Sequence, residues 1–193
     1  MEIPIGHQII YDIETHDIAG IRQCFENGIS PNDSYRGNPL IHELIGGYMR
    51  GAGFSQCVGV FVEFGMEFSD QGLLAVLLND AGKLELAVKS DPNTIHQLFD
   101  LPCAFTPLRQ VTLMHVCAEF NHLDCAKVLR AHGAQINAVA GIDEHGFGGQ
   151  SPIFHTVNQH NLACWEMLEF LLDREAVSPQ KVRRRFQYGE TQR

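Results

Sequence analysis

The residues best suited to chemistry are ten histidines and six cysteines. The densest set is His115, Cys117, His122 and Cys125, types that bind zinc provided each lies about 2 Å from one ion. A cysteine nucleophile would need a thiolate in a partly exposed, electropositive setting with a histidine in reach. Nothing around Cys24, Cys57, Cys103, Cys117, Cys125 or Cys164 supplies one. GxSxG, GxxxxGK[ST], HExxH and a GxGxxG after a strand are all missing. Gly51-Ala52-Gly53 and Gly146-Phe147-Gly148-Gly149 resemble phosphate cradles only superficially, because no lysine follows, and they read as flexible turns. Asp143 and Glu144 are too few for a cation site. No catalytic residue, metal or cofactor is expected.

One ordinary domain must position these residues. At 193 residues and 45% apolar content the chain can bury a sizeable core. The 23 acids against 14 bases leave a net charge of -9, which argues against nucleic acid, where affinity comes from neutralising phosphates. The opening MEIPIGHQIIYDIETHD has no basic n-region, so no secretory signal is expected. The most apolar stretch, residues 58–68, is interrupted by Gly59, Glu63 and Gly65 and falls short of the roughly 18 residues that span a bilayer. The cysteines form no CxxC pair and read as buried free thiols of a reducing interior, with the cytoplasm as default. Delivery into another cell stays open.

One short pattern recurs: Gly37-Asn38-Pro39-Leu40-Ile41-His42, Gln110-Val111-Thr112-Leu113-Met114-His115 and Gln150-Ser151-Pro152-Ile153-Phe154-His155. A degenerate copy, residues 72–77, has Leu77 in the histidine's place, so the units step by 35, 38 and 40 residues, a solenoid period. Each unit continues into a second apolar-periodic segment closed by a turn. The clearest is residues 122–137, where Leu123, Ala126 and Leu129, with Cys125 and Val128 beside them, build one helical face before Gly133. Matching segments run over 17–32, 54–64, 83–90 and 164–173. Equivalent positions on stacked helices lie roughly 8–10 Å apart, so His42, His115 and His155 cannot share one ion.

Thr112-Leu113-Met114-His115, with Ala118, Asn121-His122, Leu129, Gly133-Ala134 and Asn137, resembles the ankyrin repeat, position for position. The resemblance is specific over 110–137, fair over 15–65 and 149–176, and weak over 70–95. It implies structural histidines at 42, 115 and 155 that bond backbone near the turn. It also implies core positions for Cys117 and Cys125, which turns the zinc reading into packing.

Departures from the repeat are where specificity tends to be built. About five extra residues near Arg50-Gly51-Ala52-Gly53 loosen the turn of unit two. Segments 91–110 and 138–149 exceed an ordinary finger and carry aromatic residues that either pack locally or meet a partner. Ser178-Pro179 can start a short cap helix bearing Lys181, Arg183, Arg184 and Arg185. With residues 179–193 set aside, nine bases face 22 acids.

The resulting expectation is an all-α ankyrin-repeat solenoid forming a single domain over 1–193. Its units are approximately 1–34, 35–69, 70–107, 108–147 and 148–178, with a capping helix at 179–193. The weakest interface is expected at unit three. The chain reads as a non-enzymatic scaffold, monomeric, binding another protein with a basic or mixed-charge patch. Contact residues expected by register are Glu43, Glu119, Phe120, Thr156, Gln159 and His160 on the concave face, and Phe105, Arg109, Asp143, His145 and Phe147 on the loops. A structural or self-associating protein is the alternative, and a small enzyme or metal module a more distant one.

Overall fold

Short polar residues start several of the helices, because the first backbone N–H groups of a helix have no partner inside it. Asp17, Asp70 and Asp80 each accept from the amide three residues on, at 3.0, 2.7 and 2.9 Å. They open α2 (Ile18–Glu26), α5 (Gln71–Leu77) and α6 (Ala81–Ser90). Thr112 opens α7 (Leu113–Phe120), where His115 Nδ1 lies 3.2 Å from the Thr112 amide and 2.9 Å from its hydroxyl. The helix stops at Asn121, whose left-handed φ of 58° Asn tolerates better than most residues. The remaining helices are α1 (Ile5–Thr15), α3 (Leu40–Gly46), α4 (Phe54–Glu63), α8 (Leu123–Ala131), α9 (Pro152–His155) and α10 (Trp165–Leu172).

These elements come from a computed structural model that describes residues 5–104, 106–156 and 164–173. The chain is mostly helical. Helices follow one another in hairpins, α1 with α2, α5 with α6 and α7 with α8, and the hairpins stack: α1 on α3, α2 on α4, α5 on α7, α6 on α8 and α7 on α9. Helix spans expected over 54–64, 83–90 and 164–173 appear within two residues of those limits. Beside the helices of the all-α expectation stand a few short strands. Antiparallel pairs form at two joints, β1 (Ser34–Tyr35) with β2 (Asn38–Pro39), and β3 (Phe99–Leu101) with β4 (Leu108–Val111). Segment 91–110 is therefore a built element, with a 3-10 turn at Pro92–His96 leading into β3. The expected cap helix lies outside the described residues.

The core runs through the whole stack, from Ile9 and Ile13 to Met167 and Leu171. Backbone contact between α3/α4 and α5/α6 is sparse, and side chains from further away tie this part of the stack together. Phe54 at the start of α4 stacks on Phe120 at the end of α7, centroids 4.0 Å apart and planes 18° from parallel. His122 Nδ1 donates to the Val76 carbonyl at 2.6 Å, satisfying a carbonyl in the last turn of α5. Phe54 is 1% exposed, so truncation removes both transfer energy and a ring pair. The expected outcome for Phe54→Ala is a loss of about 3–5 kcal/mol in urea unfolding, with Phe54→Leu losing clearly less.

Candidate functional site

Two structures on the finger side define the candidate site. The first is the β3–β4 finger. The second is a hairpin over 139–149, which docks on β4 through Gly141 N–H to Arg109 O at 3.0 Å and closes through the Ile142–Gly148 bridge. Asp143 fixes its turn, since Oδ1 accepts from the amides of His145 and Phe147 at 3.0 and 2.8 Å. Gly148 is obligatory: its φ is +116°, and a Cβ there would stand 2.1 Å from the Gly141 carbonyl oxygen. The hairpin is thus held by its own backbone, and it presents Phe147 at 74% exposure beside exposed Ile142.

Between finger and hairpin lies an open cleft of about 550 Å³. Asp100, Arg109, Gln110, Asp143, Glu144 and His145 line it, three carboxylates against one guanidinium. Asp100 accepts from the Gln110 amide and side chain at 2.8 and 2.9 Å, which pins the finger's base. Three of the expected contact residues, Arg109, Asp143 and His145, meet in this cleft, with Phe147 on the same hairpin. Glu43 is half-buried on α3, accepts from Asn38 Nδ2 at 3.0 Å, and does not line the cleft. Phe105, Gln159 and His160 lie outside the described residues.

Glu119, Phe120 and Thr156 require a correction, because all three are buried. Every residue of α7 is buried, so a carboxylate at position 119 has no route to water. Glu119 Oε1 accepts from Arg50 Nε at 2.8 Å, and Oε2 lies 2.8 Å from His155 Nδ1, which carries the shared proton because a carboxylate only accepts. Arg50 also donates to the Gly47 carbonyl, and its guanidinium sits 4.8 Å over the Phe120 ring. Burial pushes the Glu119 carboxyl up, but the His155 hydrogen bond and charge, then Arg50, outweigh it and hold the group below its ordinary value. Arg50, which composition alone placed in a flexible turn, is the residue missed. The available signal was a lone acid in a continuously apolar helix, which demands a cation.

The three repeated histidines have different environments. His115 accepts at Nδ1 from its cap and donates at Nε2 to the Gln150 carbonyl, 3.1 Å away. His42 holds the same third helical position, but its cap is Pro39, which has neither amide hydrogen nor hydroxyl. His155 departs from expectation: α9 starts after Ser151, which moves His155 to the fourth position, away from the cap and onto Glu119. The His115 and His155 rings stand 5.7 Å apart, closer than helix spacing suggests. The suspected zinc set does not converge: His122 faces Val76 and Cys125 faces Ala75. Burial raises Cys117 strongly and takes Cys125 to about 12. Among the described residues no three His, Cys, Asp or Glu side chains are grouped to hold a metal.

Two predictions arise from this interior. Removing one partner of a buried ion pair strands the other's charge, so Glu119→Ala is expected to cost about 3–5 kcal/mol, with Arg50→Met/Glu119→Leu recovering much of it in a double-mutant cycle. Burial, aided by the charge of His155, lowers His115 to about 3, and burial lowers His122 to about 4, against an ordinary 6.5. The unfolded chain then binds protons that the native state refuses. Stability is complete above about pH 6.5 and falls as the pH drops towards these folded values. In urea titrations between about pH 6 and 5 these two histidines are expected to contribute about two protons to the uptake on unfolding, and His122→Gln to lower the uptake by about one.

Comparison with known families bears on the segment that carries this interior. No curated protein matches the chain. Residues 110–140, which span the end of β4, α7, α8 and the start of the hairpin, match the family model of the ankyrin repeat. Among the described residues no helix is long and apolar enough to cross a membrane. Residues 110–140 are thus similar to an ankyrin repeat.

Proposed function

We propose that the chain is a non-enzymatic scaffold that binds another protein, built as five ankyrin units over 1–34, 35–69, 70–107, 108–147 and 148–178 with a cap at 179–193, and working as a cytoplasmic monomer. Ankyrin repeats are generally protein-interaction modules, which supports the class of function. The observation that carries the reading is the exposed Phe147 on a hairpin held by Asp143 and Gly148. An aromatic side chain presented on a backbone already in its bound shape loses little entropy on docking, and such residues dominate interface energies. Arg109, Asp143 and His145 line the cleft beside it, and Glu43, Phe105, Gln159 and His160 are proposed as further contact residues. The acidic excess favours a basic or mixed-charge partner patch, chiefly through faster encounter.

The test is capture of a partner from native extract, then titration of that purified partner against wild type and Phe147→Ala. Binding is expected to weaken by roughly tenfold or more in the variant, with the circular dichroism spectrum unchanged. Equal affinity for both proteins would remove the hairpin from the interface, and failure to capture any partner would undercut the scaffold reading.

A further inference from the structure

Two acids are buried among the described residues, Asp12 at 2% exposure and Glu119 at 1%. An interior tolerates a carboxylate when a cation accompanies it, and Glu119 has Arg50 and His155. Asp12, on α1, has two neutral donors instead. Gln8 Nε2 donates to Oδ1 at 2.7 Å from one turn earlier, and the Cys24 thiol, a weak donor, stands 3.5 Å from Oδ2. No Lys, Arg or His of the described residues pairs with Asp12.

The carboxylate is not sealed in. It lies at the bottom of an open groove of about 470 Å³ between α1 and α2, lined by Gln8 on its own helix, by Gly20, Gln23 and Asn27 along the other, and by Asp17. Asp17, Gln23 and Asn27 are exposed, so the groove faces solvent. Where α2 packs against the carboxylate it does so with backbone, since a Cβ on Gly20 would stand 2.6 Å from Asp12 Cγ. The lining holds two acids, three side-chain amides and no base. Burial, followed by the hydrogen bond and charge of Asp12, pushes the Cys24 thiol up to about 11, in keeping with a negative potential there. A guanidinium suits this lining, because it is planar, always charged, and carries N–H donors enough for carboxylate and amide oxygens together.

We infer that the α1–α2 groove is a socket for an arginine side chain of the partner protein, whose guanidinium pairs with Asp12 and displaces the Gln8 amide that stands in for it. The source of the arginine rests on the protein-binding reading, but the socket can be tested without a partner. It adds to the Phe147 hairpin a contact that selects for charge.

The probe is N-acetyl-arginine amide, titrated into isotope-labelled protein at constant ionic strength and followed by NMR, with the uncharged isostere N-acetyl-citrulline amide as control. Signals of Gln8 and Gly20 are expected to shift saturably with the arginine probe and not with the citrulline one. Asp12→Asn, close to isosteric, is expected to weaken the probe by roughly tenfold or more, and to weaken a captured partner comparably. Gln8→Lys supplies a cation from within, one turn before Asp12, and is expected to raise the thermal midpoint while abolishing probe binding. Should Asp12→Asn fail to fold, Gln8→Lys decides. Arginine and citrulline probes that behave alike overturn the proposal, as does a Gln8→Lys protein that binds the probe as wild type does. Free arginine binding much more tightly than the capped probe would overturn the protein source in favour of a small ligand. Probe binding with no partner captured would count against the scaffold reading and leave the guanidinium socket standing, and a captured partner with no probe binding would do the reverse.

Discussion

A carboxylate that cannot reach water sets the terms for the middle of this molecule. Glu119 ends a helix buried on every side, and an unpaired charge there would cost several kcal/mol even after relaxation. Its partners come from far away in sequence, Arg50 from 69 residues before and His155 from 36 after. The turn between α3 and α4 must be long enough to deliver that arginine. The extra residues near position 50, which look like slack in the sequence, are the reach that pairing requires. Once seated, Arg50 also caps the Phe120 ring, which stacks on Phe54. Glu119 thereby couples the α3–α4 turn to α7 and, through His155, to α9. Such a pair adds little net stability over a well-packed apolar core, but it penalises other arrangements heavily.

The repeated motif shows how a shift of one residue redirects chemistry. Thr112 and His115 form a closed cap because the hydroxyl, the amide and the imidazole are three residues apart. In the last unit the cap falls on Ser151, one place earlier relative to its histidine. Among the described residues, Ser151 Oγ and His155 Nε2 are buried without a hydrogen-bond partner. The ring is thereby free to reach Glu119. The same six-residue pattern thus yields a local cap in one unit and a tertiary ligand in another.

Much of the frame was legible in the sequence, because helix spans follow from the period of apolar residues and from Asp, Thr and Gly at their ends. Asp17, which opens the first matching segment, and Gly133 mark boundaries that the structure keeps. Regions where the chain folds back on itself were not legible. Arg50 lies among glycines and carries no local pattern, and its place depends on a helix 69 residues away. Cys103 and Pro102 sit in a segment whose contacts are all tertiary. Glu119 and Phe120 were placed on the binding face by register alone, which reads position around a helix and is blind to anything lying across it. The hairpin at 139–149 was closer to legible, since Asp143 and the glycines announce a turn, but the bond from Gly141 to Arg109 that docks it does not show in either segment.

The finger side and the inner helices therefore differ in kind. The hairpin's conformation is satisfied locally, by Asp143 and by glycines in left-handed geometry, so its shape does not depend on what approaches. The α3–α7 face is covered by Pro102 and Cys103, and the Arg50–Glu119 pair beneath them joins the α3–α4 turn to α7. Stacked helix hairpins offer many equivalent surfaces. A locally fixed hairpin on one side and a covered ion pair on the other make those surfaces unequal, and they do so with a few residues outside the repeat pattern.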